Sequence, residues 1–166
     1  MLEVITVFLV AVTMALPLAH ALEWPGKRRL DPDTYRAVQT IYYPGFTIGG
    51  FSEVVGIAAA TALLWTTPLA APEFAGILTA LVSLVAMHIV YWVVTHPVNK
   101  FWLEDVDLER LGSRFFGVDG SHKKRRLDAG DRELWTRLRD RWEYSHAVRA
   151  VLAVIALLGL LLGISK

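Results

Sequence analysis

The chain has 166 residues, 54% of them hydrophobic, a formal net charge of +1 and no cysteine. The missing thiols exclude disulfides, thiolate nucleophiles, iron–sulfur clusters and thiolate zinc sites. A charge this close to neutral gives no global pull on polyanions, so no nucleic-acid partner is expected.

Four runs almost free of charge stand out, at about residues 1–22, 46–65, 74–95 and 145–164. Each approaches the ~20 residues that cross ~30 Å of hydrocarbon as a helix. In lipid such a segment must satisfy its backbone internally. The sequence therefore predicts an all-α fold: one membrane domain over 1–166, built as an antiparallel four-helix transmembrane bundle in contact with the lipid bilayer.

Run one has no basic flank before it and no clear small-residue cleavage site, so it reads as a retained span rather than a signal peptide. Pro17 removes a backbone donor just before His20. His20 and Glu23 are spaced i, i+3 and share a face. The connection that follows carries Lys27, Arg28, Arg29 and Arg36. Tyr42 and Tyr43 stand at the mouth of run two. Gly49, Glu53, Gly56 and Ala60 then recur at steps of four, three and four, a spacing that lets helices approach closely and turns Glu53 inward. A carboxylate inside a membrane needs a partner, and Arg149 lies at the matching depth. The connection 66–73 has no Lys or Arg.

In run three, His88, Trp92 and His96 step by four. His96-Pro97 reads as the end of that helix, because the residue before proline avoids the helical region; Phe101 and Trp102 then sit at the interface. The third connection, 96–144, is a cytoplasmic cap in this reading. Leu103–Leu111 alternates charged with apolar residues and is expected to form a short interfacial helix. Val118–Arg126 reads as a turn and a basic patch, with His122 solvated, able to touch anionic lipid or a protein partner. From Asp131 the spacing is helical, with Trp135, Leu138 and Trp142 on one stripe that continues to His146 and Arg149. The fourth helix is therefore expected to begin in water and run straight into the bilayer. Fifteen of the 17 Lys and Arg residues lie in the first and third connections, four and eleven respectively. The positive-inside rule puts those loops in the cytoplasm and both termini outside, as in a multi-pass cell inner membrane protein.

That orientation brings His20, His96 and His146 to one level, beside Glu23, Asn99 and Arg149, with Glu53 roughly two turns deeper. Taken singly these residues have plain readings. Interfacial histidines are commonly amphipathic filler, and His88 is better read as packed or hydrogen-bonded than as a ligand. Glu53 with Arg149 can be a structural pair, and the tryptophans fit an interfacial belt. The set His96, Asn99, His146, Arg149, Glu53 and His20 exceeds what anchoring requires and is the candidate catalytic group. Three chemistries suit it. Histidine and glutamate can move protons while Arg and Asn hold an oxyanion, with no cofactor. His20, His96, His146 and Glu23 could ligate a non-haem metal. Two histidines from facing helices could hold haem. No H-x-x-x-H, H-E-x-x-H, glycine-rich phosphate loop or G-x-S-x-G is present.

His96-Pro97-Val98-Asn99 at the end of the third span, and the W-x-x-x-H-x-x-R pattern of Trp142, His146 and Arg149, resemble the anthrone oxygenase-like family of small four-span membrane proteins. The resemblance implies oxidation of anthrones to anthraquinones without an obvious bound cofactor, with His96, Asn99, Trp142, His146 and Arg149 as the matching positions. Three functions remain open at this point. One is an oxidoreductase or oxygenase acting on a hydrophobic phenolic or quinone-like small molecule at the cytoplasmic end. The others are a haem- or metal-binding redox protein and a non-catalytic accessory subunit docking through its cap.

Overall fold

The computed structural model describes residues 1–42, 45–103 and 129–165. Each apolar run is helical, because a backbone surrounded by hydrocarbon has only its own carbonyls to bond. The helices are α1 (Leu2–Lys27), α2 (Pro32–Gln39), α3 (Gly45–Thr66), α4 (Phe74–Val90), α5 (His96–Leu103) and α6 (Ala129–Ile164). Four stretches are long and apolar enough to cross a membrane: Leu2–Lys27, Gly45–Thr66, Phe74–Asn99 and Arg132–Ile164. The chain is thus an integral, multi-pass membrane protein. Tyr43, the 104–111 part of the expected interfacial helix and the basic patch with His122 lie outside the described residues.

The spans form a closed ring. α1 packs against α3 and α6, α4 packs against α3 and α6, and the α3–α4 seam is the loosest of the four. Val10, Ala60, Leu63, Ile77, Leu84 and Leu160 are buried together at the end away from the long connections. There α4 and α6 touch through glycine: a Cβ on Gly76 would lie 2.4 Å from the Gly159 carbonyl oxygen and 2.8 Å from Gly163 Cα. Outward-facing Phe8, Phe51, Val82, Val151 and Leu162 are exposed apolar side chains, as a lipid-facing surface requires.

The third span departs from the sequence reading. It does not end at His96-Pro97 but continues as α5 to Leu103, through a π turn at Tyr91–Thr95. The His96 amide bonds to the Tyr91 carbonyl, an i→i+5 step. Proline at 97 has no N–H for the Val93 carbonyl, and Arg141 Nη2 donates to that oxygen instead, at 3.3 Å. A guanidinium from α6 thus replaces the donor that proline removed, and the helix survives.

Helix α2 was not anticipated, although Asp31-Pro32 is a helix-start signal. Asp31 Oδ1 accepts from the Asp33 and Thr34 amides, both at 3.1 Å, and Oδ2 accepts the Thr34 hydroxyl at 2.7 Å. These bonds, the Thr34 hydroxyl first, hold the Asp31 carboxyl below the usual carboxylate range. The long fourth helix is as expected, starting at Ala129 and running unbroken to Ile164.

Candidate functional site

All four spans contribute to one cavity of about 100 Å³ near the end of the bundle that carries the long connections. Thr13 and Pro17 line it from α1, Gly49 and Glu53 from α3, His88 from α4, Asn99 from α5, and Trp142, His146 and Arg149 from α6. Gly49, Glu53, Gly56 and Ala60 are all buried, so the small-residue stripe does turn Glu53 into the bundle.

Glu53 is the junction of the wall. Its Oε2 accepts from Arg149 Nη2 at 2.7 Å across the bundle, and its Oε1 lies 3.0 Å from His88 Nδ1. Trp92 Nε1 donates to His88 Nε2 at 2.9 Å. Because an indole can only donate, His88 Nε2 accepts, and the ring proton sits on Nδ1, where it donates to Glu53. Arg149 also lies over the Tyr91 ring at 5.2 Å, yet its Nε–H is buried with no partner. The guanidinium therefore keeps one donor in reserve beside the cavity.

The same logic fixes two more groups. Trp142 Nε1 donates to Asn99 Oδ1 at 2.7 Å, which leaves the Asn99 amide N–H pair as donors. His146 Nδ1 lies 3.0 Å from the Trp142 carbonyl, which can only accept, so Nδ1 carries the proton and Nε2 keeps the lone pair. The Trp142 carbonyl also accepts the Ser145 hydroxyl at 2.6 Å, and Ser145 accepts Thr95 at 2.9 Å. The first turns of the buried part of α6 are thereby locked to the π turn.

His20 lies behind His146, with ring centroids 4.6 Å apart, and is enclosed by Phe46 at 4.8 Å, Tyr42 at 4.2 Å and Trp142 at 4.9 Å. Its Nε2 is buried with no partner. Its Nδ1 lies 2.7 Å from Lys27 Nζ, and Lys27 pairs with Glu143 at 3.1 Å. Tyr35 of α2 donates to the same Glu143 oxygen at 2.6 Å. Lys27, Glu143 and Tyr35 are all buried. Burial, then the neighbouring Glu143 charge, pushes the Tyr35 phenol far above its ordinary range.

Not every expected residue converges. His96 packs against Trp92 at 4.8 Å and Tyr91 at 5.9 Å and is not among the residues lining the cavity. Glu23 is exposed and accepts the Tyr42 hydroxyl at 2.5 Å. The conditional ligand set His20, His96, His146 and Glu23 is therefore not assembled, and no group of three His, Asp or Glu placed to hold a metal occurs among the described residues. The sequence reading missed Lys27, Tyr35 and Glu143, having counted Lys27 as a loop charge. Glu143 offered one signal: it directly follows Trp142 in a helix whose buried stripe was already visible.

A family model described as anthrone oxygenase matches residues 39–159. The match takes in Glu53, His88, Asn99, Trp142, His146 and Arg149, and leaves out His20, Lys27 and Tyr35. No curated protein and no solved structure matches.

Proposed function

The chain belongs to the anthrone oxygenase family, and on that premise we propose that it is a membrane oxidoreductase that uses dioxygen to oxidise a flat, lipophilic phenolic or quinone-like substrate. The fifteen basic residues of the first and third connections favour an inner-membrane orientation with both termini outside, so the site lies towards the cytoplasm.

One observation carries this reading: the cavity wall sets a proton acceptor, His146 Nε2, beside two donor groups, the Asn99 amide and the unpartnered Arg149 Nε–H. That pairing suits a carbon acid conjugated with a carbonyl, as the ring CH₂ of an anthrone is with the carbonyl across the central ring. His146 takes a proton from the ring CH₂, and the donors hold the enolate oxygen. The electron-rich carbon reduces dioxygen and bonds to it as a peroxide, which is protonated. Loss of the second C–H proton forms the new carbonyl, breaks the O–O bond and releases water. One oxygen atom ends in the product and one in water, which balances a four-electron oxidation of CH₂ to C=O. Glu53 and His20 act behind this group, Glu53 by holding Arg149 and His88 and His20 by packing on His146.

The test is oxygen uptake and quinone absorbance with 1,8-dihydroxyanthrone in vesicles containing the purified chain, corrected for spontaneous oxidation. Turnover by wild type that His146→Ala abolishes supports the reading. A chain that matches empty vesicles, or an H146A variant as active as wild type, defeats it. A Soret band or stoichiometric metal in active protein would replace it with a haem or metal redox protein.

A further inference from the structure

The cavity has a mouth, and its position says where substrate comes from. Of all the lining residues, only Val54 and Trp92 are exposed, at 54% and 52%. The others are buried or half-buried, including every lining residue of α1 and α6. Val54 belongs to α3, and Trp92 to the π turn after α4, so the opening lies in the loosest seam of the ring. Its depth follows from helix rise. Val54 is nine residues inside the start of α3, about 14 Å along the axis, and Trp92 is seven residues before Asn99, where the membrane-crossing stretch of the third span ends, about 10 Å. Hydrocarbon is ~30 Å thick, so the opening falls among acyl chains and not in water.

We infer that substrate reaches the site sideways from the membrane, through a portal between α3 and the third span whose sides are Val54 and Trp92. The portal rests on the proposed oxidase reading only for the identity of what passes through it. The class it admits is a planar, uncharged, bilayer-dissolved molecule. A charged or strongly hydrated compound would have to shed its water before reaching the opening. Trp92 is not a loose flap. Its indole is held by His88, and through His88 by Glu53 and Arg149, so one side of the portal is tied to the charge pair in the cavity wall. A molecule that displaces Trp92 therefore disturbs Glu53 as it passes.

The chain has no cysteine, so a single V54C substitution supplies the only thiol for a nitroxide label. V151C, on the lipid-facing side of α6 at 59% exposure and away from the cavity, is the control. In vesicles both labels should be accessible to dissolved oxygen and protected from a water-soluble nickel chelate. Added anthraquinone should immobilise the label at V54C and leave V151C unchanged. Ready access of the chelate to V54C, or equal responses at both positions, overturns the portal. These readouts need no turnover, so they decide the portal even if wild type fails to oxidise an anthrone. Where wild type is active, V54W should lose about tenfold or more in kcat/KM, chiefly through KM, while V151W keeps wild-type values. A V54W variant with unchanged kinetics counts against the portal and leaves the oxidase reading standing.

Discussion

Replacing Arg149 with methionine tests the energetic role of the pair that crosses the bundle. Glu53 and Arg149 are 3% and 8% exposed, and their 2.7 Å contact leaves Glu53 with one other donor, His88. Arg149→Met keeps an unbranched chain in the space and removes the charge. Breaking one member of a buried ion pair costs about 3–5 kcal/mol, because the survivor is left uncompensated. An uncharged hydrogen bond between membrane helices is worth only about 0.6 kcal/mol on average, so the charge term dominates. In the double variant Glu53→Gln/Arg149→Met no ion remains. The loss should then fall to about 1–2 kcal/mol, mainly the disturbed bonds to His88 and the guanidinium contact with Tyr91. The double variant is therefore expected to be about 2–3 kcal/mol more stable than Arg149→Met. Reversible unfolding in mixed micelles, followed by tryptophan fluorescence, measures all three chains. If Arg149→Met and the double variant lose the same stability, the charge pair is not what holds α3 to α6.

Four other outcomes follow from particular contacts. Gly76→Val places methyls against the Gly159 backbone and should destabilise by about 1–3 kcal/mol or more, whereas Gly56→Ala, whose Cβ meets only Leu9 and Val10 side chains at 3.7 Å and beyond, should be tolerated; the same unfolding assay compares them. Asn99→Leu removes both the acceptor for Trp142 and the proposed oxyanion donor, and should lower kcat by about 10²-fold without loss of the folded state, read by anthrone turnover beside circular dichroism. Tyr35 and Tyr42 are raised above their ordinary value of about 10 by burial, aided by Glu143 and Glu23 respectively. Their folded forms bind the proton more tightly than the unfolded chain does, so this stability is full below about pH 10 and is lost as pH rises further. Native-state absorbance at alkaline pH should accordingly be the same for wild type and Tyr35→Phe, and a smaller amplitude in the variant would contradict it. Asp31 has the opposite sign: its lowered value stabilises α2 above the unfolded pKa of about 3.9 and fades as pH falls through it, and Asp31→Ala should remove that acid dependence from the unfolding curve.

The fold was legible because membrane helices obey a few strong constraints. Length and apolarity marked four spans, the Gly49–Ala60 stripe correctly turned Glu53 into the bundle, and matching depth correctly paired it with Arg149. The stripe through Trp135, Trp142 and His146 correctly made α6 one continuous helix with that face inward, all three residues being buried. What the chain order could not reveal was pairing across connections. Topology predicted one level for His20, His96 and His146, but level says nothing about azimuth; one extra residue in the π turn belongs to no periodic pattern, and His96 packs on Trp92. Lys27 read as a loop charge because its partner Glu143 lies 116 positions away in sequence, and that separation hides a contact of 3.1 Å. The Pro97 reading failed for a related reason: the donor that rescues the Val93 carbonyl comes from α6.

The π turn can also be regarded as an insertion. Each i→i+5 bond encloses one residue more than an ordinary helical bond, so the third span carries one residue beyond what a regular helix of the same path would use. One residue is about 100° of helical rotation. Deleting Val93 or Val94 would therefore let the span relax to a plain α-helix while Asn99 kept its direction towards Trp142. The cost would fall on Tyr91, Trp92 and Thr95, which lie within the turn and line the cavity. By this count a chain one residue shorter at that place would keep four sound spans and would have to rebuild the part of the cavity wall that the turn supplies.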